Sequence, residues 1–432
     1  MAELVYNKDG RLLFTKEMKE EYTLLMPQML PVHFGMFRKL LQLEGYKVDM
    51  LTTNHHGIVE EGQKYVHNDT CYPALLVIGQ LIDAVKNGGY DPHKVALLIT
   101  QTGGGCRASN YIHLLRKALI KAHLEFVPVI SVSFGVERNP GFGLTLPMIR
   151  KLVYAMLYGD VIVDLANQVR PYEIEAGMAD RTVEQWENEL VESFGRGKRM
   201  RYAAFVSTLK EILADFERIP VRDEKKIRVG VVGEIYVKFS PLGNNNLEAF
   251  LRSENCEVVV PGLTDFIIFK IFNRITDIQL YGGNAIKYAV CSALMNYVVR
   301  RQNTVIDLMK KTRFRAPTPF EDIHRSVQKY LGDGNKMGEG WLLTGEMLEL
   351  IHEGIPNIVC TQPFGCLPNH IVGKGMIRPL KDDYPESNIV AIDYDPSATA
   401  INQENRIKLM LANARQRSKP EMQKAQENTA DV

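Results

Sequence analysis

The chain has 432 residues, which is enough for two or three domains with sizeable apolar cores. Hydrophobic residues make up 45% and charged residues 24% of it, as in ordinary globular proteins, and the formal net charge of +1 gives no indication of a nucleic-acid-binding surface. The N-terminal residues lack the apolar segment of a signal peptide, and no window approaches the ~18 uninterrupted apolar residues of a membrane span. We therefore expect a cytoplasmic protein, in which cysteines are metal ligands or buried apolar residues more often than disulfides.

The first third of the chain is typical of an α/β domain with a parallel sheet, which we assign to residues 1–165. Residues 17–26 and 36–45 have the pattern of two helices, and residues 46–51 that of a strand. Two further apolar runs, at 94–100 and 126–132, alternate with helical patterns. In such domains ligands bind at the carboxyl ends of the strands.

Two cysteines of this domain stand at junctions between a loop and a helix. Cys71 lies in Thr-Cys-Tyr-Pro-Ala, where Pro73 suits the first turn of a helix. Cys106 follows Gly103, Gly104 and Gly105, between a strand and a helix. The glycines would let the backbone approach a cluster or an anion closely.

The pattern then becomes helical and charged, and we assign residues 166–222 to a helical connector. A second α/β domain with a helical insert follows at 223–414, and it contains Cys366. Gly230 and Gly233 match part of a dinucleotide-binding fingerprint, but the third glycine is missing, so no nucleotide cofactor is expected. The polar residues 415–432 predict a disordered tail.

Cys366 lies in a turn after a buried strand that contains Cys360, and Pro368 follows it. A thiol beside backbone amides and a helix start is expected to have a lowered pKa and to be a thiolate, the form that binds metal. Cys256 and Cys291 stand among apolar residues and are expected to be inert core thiols.

Three cysteines at loop–helix junctions, far apart in sequence, predict one convergent site. Soft thiolates favour an Fe–S cluster or zinc, although the local CxxC pairs of zinc ribbons and the compact ferredoxin run are both absent. Buried cysteines without any metal remain the alternative that the spacing alone allows.

The order of the three motifs resembles the 2-hydroxyacyl-CoA dehydratase family. Thr-Cys-Tyr-Pro-Ala around Cys71, Gly-Gly-Cys-Arg around Cys106 and Gln-Pro-Phe-Gly-Cys-Leu-Pro around Cys366 are similar to the cluster-carrying component, including the 2-hydroxyglutaryl-CoA dehydratase component D-like and activase-related branch. The resemblance extends over residues 20–413. It departs from the family at Leu367 to His370, where dehydratase subunits tend to carry an acidic residue.

The resemblance implies two Rossmann-like domains with a [4Fe–4S] cluster at their interface, bound by Cys71, Cys106 and Cys366. It also implies a separate ATP-driven activator that donates one low-potential electron, which the reduced cluster passes to an acyl-CoA so that a ketyl radical expels the hydroxyl group. Relatives work as pairs of similar subunits, so a homo- or heterodimer is expected. The chain has no GxxxxGK[ST] phosphate loop, so it is not expected to be the ATPase itself.

Several alternatives stay open. The chain can be an Fe–S lyase, an ATP-dependent reductase component, a non-catalytic electron-transfer or scaffold subunit, or a zinc-stabilised α/β protein. Cys360 is a possible fourth ligand. His370, about one helical turn after Cys366, and Arg107, beside Cys106, are candidate catalytic residues that would act on an open iron or offset the charge of the cluster.

Overall fold

The structure is a computed structural model that describes residues 2–67, 69–100, 105–132, 137 and 139–430. Over these residues the chain forms two four-stranded sheets, both entirely parallel, each surrounded by helices. The expected α/β class is therefore confirmed. Among the described helices, none is both long and apolar enough to cross a membrane.

The first sheet has the strand order β2-β1-β3-β4. Its strands are β1 (Thr23–Pro27), β2 (Lys47–Leu51), β3 (Val95–Thr100) and β4 (Val129–Val132). The helices of this half are α1 (Lys16–Glu21), α2 (Pro31–Leu43), α3 (His56–Tyr65), α4 (Tyr72–Asn87) and α5 (Tyr111–Lys121).

Strand β1 corrects the sequence prediction of one helix over residues 17–26. The helix ends at Glu21, and residues 23–27 form a central strand that pairs with both β2 and β3. A short apolar run does not distinguish a buried strand from a helical turn by its periodicity. Pairing on both edges, which is a tertiary effect, decides the conformation.

Three helices separate the two sheets in sequence: α6 (Leu146–Val169), α7 (Met178–Gly195) and α8 (Tyr202–Glu217). The second sheet has the order β6-β5-β7-β8, with β5 (Ile227–Gly233), β6 (Cys256–Val259), β7 (Asn357–Pro363) and β8 (Asn388–Tyr394). Its first helices are α9 (Ile235–Phe239), α10 (Leu247–Ser253), α11 (Leu263–Tyr281) and α12 (Ala285–Met309). The later ones are α13 (Phe320–Val327), α14 (Trp341–His352), α15 (Ile377–Asp383) and α16 (Ala400–Ala430).

Helix α16 has helical backbone as far as Ala430. The disordered tail predicted for residues 415–432 stays a prediction. The boundaries drawn between domain, connector and second domain stay predictions.

One apolar core joins the two sheets. Helix α4 is buried from Tyr72 to Val85, as its uninterrupted apolar sequence predicts. Its side chains belong to a cluster that also contains Leu97 of β3 and Val231 and Val359 of the second sheet. The amino end of α4, where Cys71 lies, is thereby held between the two halves of the molecule.

Candidate functional site

The three cysteines named above line a single cavity of about 730 Å³, which we call the cysteine cavity. Cys71, Cys106 and Cys366 reach it from three separate loops. Residues at the carboxyl ends of strands from both sheets surround it, among them Pro27 and Thr100. This is the edge at which parallel α/β sheets bind ligands.

Cys71 is the residue before the first turn of α4, and only 6% of it is exposed. Its Sγ lies 3.0 Å from the hydroxyl of Tyr111, the first residue of α5. Pro73 stands in the first turn of α4, where its missing N–H leaves no bond unmade. The junction that the sequence predicted is therefore present, with the thiol fixed by a phenol.

The turn that carries Cys366 lies directly against Cys71. The backbone N–H of Tyr72 donates to the carbonyl of Phe364 at 2.9 Å. Gly365 has φ +72°, and a Cβ there would stand 3.1 Å from the Cα of Cys71. Both the left-handed conformation and the close approach require glycine.

Cys106 precedes a single 3-10 turn at Arg107–Asn110, and its carbonyl accepts a 2.6 Å hydrogen bond from the hydroxyl of Ser109. Arg107 is exposed and lines the cavity beside it. Gly105 also lines the cavity, with φ +69° and no room for a Cβ next to Met337. Gly103 and Gly104 lie outside the described residues.

All three thiols have a raised pKa, which makes the expectation of a lowered value wrong. Burial raises the pKa of Cys71 to about 11, against the smaller opposing effect of the Tyr111 hydrogen bond. Burial likewise raises the pKa of Cys106, and it raises the pKa of Cys366 by a larger amount. The sequence shows the helix starts and amides that favour a thiolate, but it does not show how deeply the loops are buried.

Cys360 lies in the core instead of the cavity. It is fully buried on β7, and its Sγ accepts a 3.1 Å hydrogen bond from the side-chain amide of Gln362. Burial raises its pKa to about 12. Cys256 is also a core thiol, as predicted, but Cys291 is half-exposed on α12, so its assignment to the core was wrong.

His370 does not appear among the described residues that line the cavity. The segment Asn369–Gly373 is a π-helical turn, and it directs Ile371 and Val372 to the cavity. The backbone N–H of His370 donates to the carbonyl of Cys366 at 3.1 Å. A turn of this width changes which side chain lies above Cys366, and the sequence gives no signal for it.

Two carboxyl groups and an amine complete the polar part of the cavity, and sequence reasoning missed them. Glu234 follows β5, and its Oε2 accepts from the backbone N–H of Val237 at 2.9 Å. Glu339 accepts from the N–H of Ile235 at 3.1 Å. Burial, together with Glu339, raises the pKa of Glu234 to about 8, so its carboxyl carries a proton at neutral pH.

Lys270, on α11, faces the same cavity and donates to the carbonyl of Gly338. Burial lowers its pKa, while Glu339 and Cys106 oppose the shift. Glu234 was detectable in principle, because it comes directly after a buried strand and a glycine turn. Glu339 and Lys270 lie in a loop and a helix interior, where no such signal exists.

Most of the remaining lining is apolar. One apolar part comes from the first sheet, from α2 and α6 and from the loop before α6, and it includes Met26, Phe34, Phe37, Leu98, Phe142 and Leu152. We call these six residues the apolar wall. The cavity can therefore hold a ligand with an apolar group at this wall and a reactive group near the cysteines.

Within the described ranges, no three His, Cys, Asp or Glu side chains form a group that could hold one metal ion. The identity of a group bound by the three cysteines stays a prediction.

Comparison with known proteins adds no assignment. No protein-family model matches the chain, and no curated protein is significantly similar to it. The resemblance found in the three cysteine motifs therefore stays a prediction, and the arguments about function depend on the cavity and its residues.

Proposed function

We propose that the chain is an iron–sulfur protein of the 2-hydroxyacyl-CoA dehydratase type, which binds a [4Fe–4S] cluster through Cys71, Cys106 and Cys366. The observation that carries the proposal is that three cysteines, separated by 35 and 260 residues in sequence, line one cavity. Cysteines that serve only as apolar core residues are not expected to line one shared cavity.

The cluster, when bound, would supply one-electron reducing chemistry at low potential. The electron would come from a separate ATP-driven activator, since the chain lacks a phosphate loop. Arg107 and Lys270 lie on the cavity and would offset the negative charge of the thiolates. The contact between Tyr111 and Cys71 would hold one ligand in position.

The substrate in this proposal is an acyl-CoA or a related thioester whose acyl group enters the cavity. The apolar wall supports that part of the proposal, because it would bury hydrocarbon and exclude water from the reacting end. Glu234, protonated at neutral pH, would donate a proton to a leaving hydroxyl group. A hydroxyl group that leaves as water takes up one proton, which Glu234 would supply.

The absence of Cys360 from the lining favours three ligands over four. Its Sγ already accepts a hydrogen bond inside the core, and reaching the cavity would require β7 to move. A cluster held by three cysteines leaves one iron open, which suits catalysis more than structural support. The geometry thus favours the enzyme over the scaffold subunit.

Anaerobic purification followed by iron, sulfide and zinc analysis tests the proposal. We expect about four irons and four sulfides per chain, as one cubane requires. Cys71→Ser, Cys106→Ser and Cys366→Ser should each lose the cluster, whereas Cys360→Ser should retain it. Cys256→Ser is the matched control, because Cys256 is a buried thiol in β6. Stoichiometric zinc with no iron would contradict the proposal.

The activator is tested by titrating the purified chain with ATP in a calorimeter. We expect no tight binding, because the described site contains no glycine-rich phosphate loop and the sequence has no Walker motif. Binding in the low-micromolar range would mean that the chain carries its own nucleotide site. A separate activator would then be unnecessary.

A further inference from the structure

A second cavity, of about 100 Å³, lies among α6, α11, α12 and α14, beside the end of β6. Among the described residues, it shares no lining residue with the cysteine cavity. We call it the acidic cavity, because six carboxyl groups line it: Asp160, Asp164, Glu248, Asp265, Glu349 and Glu353. Carboxyl groups drawn from four helices to one buried place require partners that balance their charge.

Four of the six carboxyl groups have a basic partner. The pairs are His33 with Asp160 at 2.9 Å, Arg252 with Glu248 at 3.5 Å, and Arg315 with Asp164 at 3.9 Å and with Glu353 at 3.6 Å.

The other two, Asp265 and Glu349, have only neutral hydrogen-bond donors within the described ranges. The side-chain amide of Gln302 donates to Asp265 at 2.6 Å, and the backbone N–H of Thr318 donates to Glu349 at 3.3 Å. The charge of Lys238 also acts on Asp265, but its amine already pairs with Glu346. Asp265 and Glu349 are therefore the part of the acidic cavity that lacks a cation.

The same place also lacks a hydrogen-bond donor. Glu349 Oε2 and Gln302 Oε1 are buried acceptor atoms with no partner in the described part of the chain. Glu349 is 7% and Gln302 6% exposed, and both line the acidic cavity. Buried polar atoms are nearly always hydrogen-bonded, so two unpartnered acceptors beside uncompensated carboxyl groups indicate a ligand that is both a donor and a cation.

We propose that the acidic cavity binds a small primary amine in its protonated form, with the ammonium group at Asp265, Gln302 and Glu349. An ammonium group carries three N–H donors and one positive charge, which are the two things this place lacks. A metal ion fits less well, because no three His, Cys, Asp or Glu side chains among the described residues form a group that could hold one. The proposal does not depend on the cluster or on the dehydratase activity.

The size and the apolar lining of the cavity limit the rest of the ligand. An apolar cavity of about 150 Å³ holds one benzene molecule, so 100 Å³ has room for roughly four non-hydrogen atoms. Val305, Ile306 and Leu350 also line the cavity and would contact the carbon end of the amine. Asp164 and Glu353 are only half-buried, so the ligand can enter from their side. The ligand class is thus a short, unbranched alkylamine.

Protons compete with the amine for the same two carboxyl groups. Burial raises the pKa of Asp265 to about 7, and burial together with the charge of Asp265 raises the pKa of Glu349. A bound ammonium group would replace these protons. Binding is therefore best measured at about pH 8, where a primary amine, with a pKa near that of a lysine side chain at about 10.4, is still protonated.

A ligand-observed NMR titration of the full chain tests the proposal, with propylammonium chloride as the probe and constant ionic strength. We expect saturable binding at one site per chain, with a dissociation constant of about 1 mM or below, as a ligand of four heavy atoms allows. The neutral probe 1-propanol has the same shape, and cyclohexylammonium has the same charge but is too large. Both should bind at least tenfold more weakly than propylammonium. Equal binding of 1-propanol and propylammonium, or no binding of propylammonium, would overturn the proposal.

Glu349→Gln locates the binding site, because it keeps the shape of the side chain and removes its charge. The affinity for propylammonium should fall tenfold or more. Asp83→Asn is the matched control: Asp83 is a buried carboxyl group on α4, 6% exposed, that is not among the residues lining either cavity, and this variant should bind as the wild type does. Circular dichroism checks that both variants are folded. Unchanged affinity in folded Glu349→Gln would overturn the proposal, and the comparison of the three probes on the wild type decides it if that variant does not fold.

Discussion

The buried ion pair between Lys238 and Glu346 should be the most sensitive polar contact beneath the cysteine cavity. Lys238 Nζ lies 2.8 Å from a carboxylate oxygen of Glu346, and both side chains are only 3% exposed. The pair joins α9 to α14, and α9 begins directly after Glu234. Its disruption would therefore affect the cavity as well as the core.

Replacing Lys238 by Met leaves the carboxylate of Glu346 buried without its cation. Removing one partner of such a pair typically costs about 3–5 kcal/mol. The conversion for a domain of about 150–250 residues, such as the one assigned to residues 223–414, is about 2–4 °C per kcal/mol. The melting temperature should therefore fall by about 6–20 °C. Lys238→Met with Glu346→Leu should recover most of that loss, because no unpaired charge then remains.

The loss of stability in Lys238→Met should also depend on pH, and this dependence provides a second measurement. Burial already raises the pKa of Glu346, and removing Lys238 raises it further. The folded state then holds a proton that the unfolded chain releases above about pH 4, so stability is fully present at low pH and declines as pH rises towards the folded-state pKa. The difference in melting temperature from the wild type should be larger at pH 8 than at pH 5.

Scanning fluorimetry at one fixed heating rate gives these values, with Arg196→Met as control. Arg196 pairs with Glu192 on the surface of α7, where both side chains are 64% exposed, so its loss should cost less than about 1 kcal/mol. Equal losses in the two variants, or a pH-independent loss in Lys238→Met, would refute the reasoning that burial makes this pair important.

Three further predictions concern the core and the cavity. Burial raises the pKa of Asp265 to about 7, so the contribution of this group to wild-type stability should decline from about pH 4 to 7, by at most ~1.4 kcal/mol per pH unit. Asp265→Asn should lessen that decline in thermal melts at several pH values. Gly79→Ala should lose about 1–3 kcal/mol in thermal melts, because a Cβ there would lie 2.2 Å from the carbonyl oxygen of Ile58. Gly365→Ala should lower the iron retained per chain, since it strains a left-handed turn against Cys71.

Each of these predictions has a control within the chain. Gly332→Ala introduces a Cβ with no heavy atom within 4 Å, so it should change neither stability nor iron content. Asp382→Asn alters a carboxyl group whose side chain is 68% exposed, and it should leave the pH profile unchanged. If Gly79→Ala is as stable as Gly332→Ala, the backbone of Gly79 in α4 does not lie as close to the Ile58 carbonyl of α3 as the structure places it.

The fold class was predictable because buried parallel strands have a recognisable sequence pattern. Continuous apolar runs such as Val95–Thr100 and Asn388–Tyr394, bounded by turns and alternating with helices, became strands of the two sheets. Strand β1 was not predictable, because its five residues continue directly from a helix and have no period of their own. Its conformation depends on neighbours that are distant in sequence.

The sequence predicted only those residues of the candidate site that stand in a recognisable local motif. Loop–helix junctions identified Cys71, Cys106 and Cys366, and these three line one cavity. The direction of their pKa shifts was not predictable, because burial is decided by how the two halves pack. Lys270 was missed for the same reason: it lies in the middle of an apolar helix, and only packing turns it towards the cysteines.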